Sequence, residues 1–131
     1  MIGEGEIFEQ TYHVTKAVYE GFIDTFADRS PLHVDAAFAA ERGFPEKVMH
    51  GNILNGFLSH FVGECLPDKK VIILSEEIHY LLPVYLNDTL TLKVRVASYS
   101  EAVNAATLKF RFIGLDSVQR ARGRIQVGVM R

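Results

Sequence analysis

Apolar residues near the start of the chain recur at two different spacings. Between residues 7 and 14 apolar and polar side chains alternate loosely, which is typical of a strand with one buried face. After Thr15 the apolar residues return every three or four positions, which predicts a helix capped by Thr15; they are Val18, Phe22, Ile23 and Phe26. Residues 28–35 read as an ordered polar loop, and its Asp35 predicts the cap of a short helix through Arg42.

A longer helix is predicted from about residue 52 to residue 65, where it is stopped by Pro67. Its apolar residues form one broad stripe; they are Ile53, Leu54, Phe57, Leu58, Phe61 and Val62. From residue 71 the period changes to two, with breaks at 87–88, 101–104 and 114–116. This pattern predicts four successive antiparallel strands in a meander, at about 71–82, 89–99, 105–113 and 117–130. Because only this sheet can cover the apolar helix, the fold class is α+β, with a long curved sheet around the helix.

Composition places the chain among folded proteins with a single core. With 131 residues, 48% apolar and 23% charged, residues 1–131 fit one domain. The net charge of -2 disfavours a general nucleic-acid-binding role. The single cysteine, Cys65, cannot form an internal disulfide and suggests a cytoplasmic setting. We expect no signal peptide in residues 1–10 and no membrane span, because no apolar run is long enough.

The polar loop carries the strongest local signal for chemistry. Asp28, Ser30, His33 and Asp35 lie within eight residues, together with Pro31. A carboxylate and an imidazole on one rigid loop can hold a water and exchange its proton. The alternative is that the two aspartates cap helices and that His33 fills a polar pocket. A metal site is disfavoured, because no third ligand has a diagnostic spacing.

A second candidate lies where the long helix begins, at His50-Gly51. The first amides of a helix have no intrahelical acceptor, and a glycine lets a ligand oxygen approach the backbone. The pair could therefore form an oxyanion hole for the carbonyl of an acyl thioester. The alternative is an ordinary helix entry in which Gly51 serves only the turn.

Two surface patterns each allow a functional and a structural interpretation. Small or polar residues share one face of the long helix, where an acyl chain, a strand or another subunit could pack; they are Asn52, Gly56, Ser59 and Gly63. The outer face of the predicted sheet is basic and could bind a nucleotide phosphate, although charges on a solvated face are normal. Its residues include Lys93, Arg95, Lys109, Arg111, Arg122 and Arg124.

The run from Phe26 to Asp35, followed by Ala39, Phe44 and His50-Gly51, resembles the hydratase signature of MaoC-like, (R)-specific enoyl-CoA hydratases. The resemblance continues through residues 82–85 and Asp88 and covers about residues 22–129. It implies a hot-dog fold, in which a long curved antiparallel sheet wraps a central helix after additional short helices. It also implies that two subunits pair to form the substrate tunnel.

The resemblance also assigns roles to individual residues. Asp28 and His33 match the catalytic pair that activates water, and Gly51 matches the residue whose backbone N–H holds the thioester carbonyl. Ser59 and Val62 match the acyl-pocket wall; we also expect substrate contacts from Ser30 and His50. The chain departs from the family pattern at three places: Ser30 replaces a common Asn, Asn87 replaces a common Gly, and Glu76-Glu77 enters a strand expected to be central.

The activity implied by the resemblance is hydration of a trans-2-enoyl thioester to an (R)-3-hydroxyacyl thioester, or the reverse. No metal or cofactor is expected, and CoA or an acyl carrier protein would be the substrate handle. A hot-dog acyl-CoA thioesterase and a non-catalytic acyl-CoA or acyl-carrier binding module are the alternatives. We expect a cytoplasmic homodimer that binds neither nucleic acid nor membranes.

Overall fold

The computed structural model describes residues 2–130 and consists of short helices followed by a long helix and a five-stranded sheet. The elements in chain order are β1 (Ile7–His13), α1 (Lys16–Phe26), α2 (Pro31–Val34), α3 (Ala36–Glu41), α4 (Asn52–His60), a π-helical turn (Phe61–Cys65), β2 (Val71–Tyr80), β3 (Thr89–Ser100), β4 (Ala105–Gly114) and β5 (Gln119–Val129). Among the described residues, no helix is long and apolar enough to cross a membrane.

The sheet has the strand order β1-β3-β4-β5-β2, and all its pairings are antiparallel. The predicted α+β class and the four strands after residue 71 are confirmed, but the simple meander is wrong because β2 pairs with β5. The segment that joins β2 to β3 carries the chain from the edge strand β2 across the sheet to β3, which lies next to the opposite edge strand β1. Two hydrogen bonds hold it: before the start of α4, the Met49 amide donates to Val84 O, and just after the end of β1, Val14 O accepts from the Asn87 amide.

This topology also corrects the expectation that Glu76 and Glu77 enter a central strand. Among residues 2–130, β2 pairs only with β5 and forms an edge of the sheet. Both carboxylates are exposed, and Glu77 forms an ion pair with Arg124 at 3.2 Å. The charged side chains therefore remain accessible to solvent in the protomer.

The core lies between α4 and one face of the sheet. All six apolar residues of the predicted stripe are buried, as are the alternate residues of β3, β4 and β5 that share one face. The largest fully buried side chains are Phe61, Phe112, Leu54, Leu58, Leu90, Leu92, Leu108 and Ile125. The charged residues of β3, β4 and β5 point to the other face, as the period of two predicts.

The polar loop begins at a sharp exit from α1. Thr15 caps the helix start as predicted, since its Oγ1 accepts a hydrogen bond from the Val18 amide at 3.1 Å. Ala27 ends the helix in the left-handed conformation, with φ of 57°, and so turns the chain toward Asp28. The predicted loop contains one helical turn, α2. Asp35 then caps α3, as expected, by accepting from the Phe38 amide at 3.1 Å.

The long helix differs from the prediction in its last turn. Regular α4 ends at His60, and residues 61–65 form a wider π-helical turn. Pro67 disfavours a helical conformation at the residue before it, and Leu66 is extended accordingly, with φ of -75° and ψ of 150°. The helical segment still stops at Cys65, where the sequence predicts it to stop.

Candidate active site

The structure brings Asp28 and His33 together at the loop between α1 and α2. Asp28 Oδ2 lies 3.9 Å from His33 Nε2, which is too long for a direct hydrogen bond but close enough for one water to contact both. The Asp28 side chain is 48% exposed and the His33 side chain 17% exposed. A small molecule can therefore reach the carboxylate, while the imidazole is largely enclosed.

His33 is oriented by two backbone contacts. Its Nδ1 lies 2.8 Å from Val48 O, and because a carbonyl only accepts, Nδ1 carries the hydrogen. The Nε2 atom that faces Asp28 is then free to accept a proton. The Tyr19 hydroxyl donates to the His33 carbonyl and fixes the loop against α1.

The Asp28 carboxylate is stabilised in its ionised form by its own loop. The Ser30 amide donates to Asp28 Oδ1 at 3.2 Å and lowers the pKa of the carboxyl group, with smaller contributions from His33 and His50. Asp28 is therefore a carboxylate at neutral pH. The largest contribution from Ser30 comes from its backbone amide, with a smaller one from its side chain, and a substrate contact from that side chain stays a prediction.

The beginning of α4 faces the same pair. His50 is buried, and its Nε2 donates to the backbone carbonyl of Asp28 at 2.8 Å. Gly51 has φ of -58°, so its backbone does not require glycine. It lies under the ring of Tyr80, and a Cβ atom there would approach Tyr80 Cε1 to 2.9 Å. The close approach of Tyr80 therefore explains this glycine.

Tyr80 belongs to a polar group beside the helix start that sequence reasoning missed. The Asn55 amide group donates to Asn52 Oδ1 at 2.8 Å and to the Tyr80 hydroxyl at 3.3 Å. Burial raises the pKa of Tyr80, and the hydrogen bond from Asn55 opposes that rise. Only the helical spacing of Asn52 and Asn55 was visible in the sequence. It did not indicate that a residue of β2 would join them.

Two cavities meet at Asp28 and Asn52. One, of about 390 Å³, contains the candidate pair and the helix start; its lining includes Asp28, His33, His50, Gly51, Tyr80 and Val84. The other, of about 730 Å³, is an apolar groove between α1 and α4; its lining includes Val18, Phe22, Phe26, Asn52, Gly56 and Phe57. The two cavities offer separate places for the polar and the apolar part of one ligand.

The two residues predicted to form the acyl-pocket wall lie further along α4. Ser59 is exposed and Val62 is buried in the core, and neither lines these two cavities. Asn52, Gly56, Ser59 and Gly63 do share one exposed helix face, as their spacing predicts. An acyl wall at Ser59 and Val62 stays a prediction.

Asp28, His33 and His50 also place three possible metal-ligand atoms within 4.8 Å of one another. The two imidazoles, however, stack with centroids 4.1 Å apart and planes inclined by 31°. Ring nitrogens donate to a metal in the plane of the ring, so stacked rings present their lone pairs side by side. In addition, His50 Nε2 and His33 Nδ1 already donate to backbone carbonyls. The arrangement fits a positioned Asp–His pair better than a metal centre.

Known proteins resemble this chain in sequence. The MaoC like domain family matches residues 1–113. An (R)-specific enoyl-CoA hydratase of Aeromonas caviae is 38% identical over 84 residues, covering 64% of this chain and 63% of the relative. A 3-hydroxybutyryl-CoA dehydratase of Methylorubrum extorquens is 30% identical over 96 residues, covering 73% and 60%. This chain thus matches about three fifths of the length of these curated relatives.

Solved structures extend the similarity over nearly the whole chain. The (R)-hydratase from A. caviae has a TM-score of 0.89 at 29% identity and covers 98% of both chains. The R-hydratase from Pseudomonas aeruginosa has a TM-score of 0.88 at 25% identity and covers 98% of this chain and 82% of its own. The predicted hot-dog fold is confirmed by these similarities.

Proposed function

The chain belongs to the MaoC-like domain family, and we propose that it adds water to trans-2-enoyl-CoA thioesters to give (R)-3-hydroxyacyl-CoA, or catalyses the reverse dehydration. One observation carries this proposal: Asp28 Oδ2 and His33 Nε2 face each other across 3.9 Å beside the amide end of α4. This spacing fits one shared water. The relatives named as hydratases and dehydratases support the same reaction.

In the proposed reaction, Asp28 and His33 hold one water next to the β carbon of the substrate. They remove a proton as the water oxygen bonds to that carbon, and the electrons of the double bond move toward the thioester carbonyl. The Gly51 amide donates to the carbonyl oxygen as its negative charge grows. A proton then returns from the pair to the α carbon, so one water is added and no other reactant is needed.

The two alternative functions, a thioesterase and a binding module, would use the same site in other ways. A thioesterase would attack the carbonyl carbon held at Gly51, and a binding module would need the cavities but neither acid nor base. An ionised Asp28 beside an oriented His33 favours water activation over simple binding. The position of this pair on a loop next to the start of α4 also suits attack by water at the β carbon rather than at the carbonyl carbon.

Incubation with crotonyl-CoA separates these functions. We expect (R)-3-hydroxybutyryl-CoA, identified by chiral chromatography, with no free CoA. Free CoA would indicate the thioesterase, and unchanged crotonyl-CoA would contradict both enzymes. A parallel assay with a crotonyl acyl carrier protein tests which handle is preferred, since a 3-hydroxyacyl-[acyl-carrier-protein] dehydratase of Arabidopsis thaliana is 23% identical over 106 residues.

We propose further that the protein is a homodimer formed through β2. This edge strand exposes consecutive apolar residues, with Ile72 49% and Leu74 58% exposed. An unpaired apolar edge favours pairing with another strand, and a second copy of β2 would provide an antiparallel one about a twofold axis. On the other edge strand, β1, the exposed residues are polar apart from Ile7. We also propose that the chain forms a single domain. We propose a cytoplasmic location because a single cysteine is typical of proteins in a reducing compartment.

A further inference from the structure

His50 is the only buried residue of the polar and charged types among residues 2–130, with 3% of its surface exposed. Its Nε2 lies 2.8 Å from the backbone carbonyl oxygen of Asp28, which is 22 positions earlier in the chain. Because the carbonyl only accepts, Nε2 carries the hydrogen. This hydrogen bond ties the loop of the candidate pair to the residue that directly precedes Gly51.

The ring of His50 also covers one face of His33. The two centroids are 4.1 Å apart, and Phe22 packs on the His50 ring at 4.6 Å. His33 is thus held at Nδ1 by Val48 O and on one ring face by His50. The imidazole that faces Asp28 cannot tilt toward His50 without a steric clash.

The remaining nitrogen of His50 has no role in proton exchange with the candidate water. Nδ1 is shielded from solvent and has no hydrogen-bond partner among the described residues. His50 is therefore held as the Nε2–H tautomer, with its only polar contact directed at a backbone carbonyl. His50 lines the smaller cavity, but its Nδ1 is shielded and its Nε2 is engaged by Asp28 O, so neither nitrogen is available to exchange a proton with substrate.

Asp28 needs an anchor outside its own loop. Its side-chain contact comes from Ser30, which moves with the same loop, and the loop leaves α1 at the left-handed Ala27. The hydrogen bond from His50 is the contact that fixes the Asp28 backbone relative to α4. Since Gly51 follows His50 in the chain, this contact also sets the distance between the water site and the carbonyl site.

We propose that His50 is a positioning residue for the hydration reaction proposed above: it fixes the Asp28 backbone and the His33 ring relative to Gly51, and it neither exchanges a proton nor contacts substrate. This inference rests on the proposed function. Misplacement of a reacting group by about 1 Å can reduce a rate by about 10². The effect of losing His50 should therefore appear in turnover.

Two substitutions distinguish the contribution of the N–H donor of His50 from that of its aromatic ring. His50→Gln keeps an N–H donor at a similar reach, whereas His50→Phe keeps a ring and removes the donor. We expect kcat with crotonyl-CoA to fall about tenfold or more in His50→Phe with KM nearly unchanged, and to stay within about threefold of wild type in His50→Gln. His60→Phe is the matched control, because His60 ends α4, hydrogen-bonds Tyr12 of β1 and lies outside both cavities; its kcat should not change.

Three kinetic results would overturn the proposal. Equal loss of kcat in His50→Gln and His50→Phe would mean that the imidazole itself takes part. Unchanged kcat in His50→Phe, with only a lower melting temperature, would mean that His50 serves packing alone. A shifted pH profile of kcat in His50→Gln would mean that His50 titrates during the reaction.

A measurement without substrate keeps this inference separate from the proposed function. In protein labelled with ¹⁵N-histidine, we expect ring-nitrogen spectra to show Nε2–H for His50 and Nδ1–H for His33. The His33 signals should change in His50→Gln, which removes the ring stacked on His33, and be largely retained in His50→Phe, which keeps a ring there. A different tautomer of His50, or unchanged His33 signals in His50→Gln, would overturn the positioning role. Failure of the wild type to hydrate any enoyl-CoA would overturn only the proposed function.

Discussion

Asp28 and His33 are oriented by different parts of the chain, yet they meet at one place where a water can contact both. His33 depends on Val48 O, and Asp28 depends on the Ser30 amide and on His50. Because one water must touch both groups, removal of either should stop the same step. The structure therefore predicts that loss of Asp28 and loss of His33 reduce activity through the same catalytic step.

Asp28→Asn and His33→Gln should each reduce kcat for crotonyl-CoA hydration by at least about 10², with little change in substrate binding. Both substitutions approximately preserve shape and hydrogen bonding but remove proton exchange. The double variant should be little worse than the worse single variant, as expected for groups that share one step. Kinetics and melting curves on the same preparations provide the check. Near-normal kcat with a lowered melting temperature would instead make Asp28 a cap and His33 a pocket filler.

Gly51→Ala should lower kcat although it retains the backbone N–H. The new Cβ would lie 2.9 Å from Tyr80 Cε1, so the Tyr80 ring must move and its contact with Asn55 weakens. We expect a loss of about tenfold. Adding Tyr80→Ala to Gly51→Ala removes the clash and should restore part of this loss, measured against Tyr80→Ala alone. An equal loss with and without Tyr80 would contradict the steric explanation.

At the scale of elements, the pairing of β2 with β5 depends on a glycine. A Cβ at Gly123 would lie 1.9 Å from the backbone oxygen of Glu77, so β2 could not keep its distance from β5. Gly123→Ala should lower the free energy of unfolding by about 1 to 3 kcal/mol, measured by urea titration.

Gly21→Ala in α1 is the control for Gly123→Ala. Its Cβ meets no atom within 4 Å, and it should raise that free energy by about 0.5 to 1 kcal/mol. Equal stability of Gly123→Ala and wild type would contradict this.

Helix α4 carries the predicted acyl wall one turn beyond Gly56. Ser59→Gly should shift chain-length preference toward longer enoyl-CoAs, measured as kcat/KM across substrates of four to ten carbons, because it removes a side chain from that wall. Phe26→Ala is the comparison, since Phe26 lines the groove between α1 and α4. A shift in Phe26→Ala and none in Ser59→Gly would place the acyl chain in that groove.

At the scale of the whole molecule, the exposed apolar residues of β2 point to a second copy of the chain. Sedimentation at micromolar concentration should give twice the 14.7 kDa of one chain. The double variant Ile72→Lys/Leu74→Lys should sediment as a monomer, because charges at a strand edge oppose pairing. Ile7→Lys on β1, at a position 70% exposed, is the control and should remain a dimer. A monomeric wild type would contradict the dimer.

The sequence determined the elements and which of their faces are buried. Apolar residues at spacings of two and of three to four reflect the side-chain directions in strands and helices, so β3, β4, β5 and the stripe of α4 were readable locally. The proximity of Asp28 and His33 was also local, since a short loop and one helical turn separate them. The left-handed conformation of Ala27 is also a local feature, although alanine as a residue type does not predict it.

Only the tertiary structure decided which elements became neighbours. A period of two is the same whether β2 pairs with β3 or with β5, and the choice depended on the path of residues 81–88, which are hydrogen-bonded to Met49 and Val14. The hydrogen bond from His50 to Asp28 O and the ring of Tyr80 over Gly51 join positions 22 and 29 residues apart. Such contacts are set by the packing of whole elements against one core, and no local pattern of hydrophobic and polar residues encodes them.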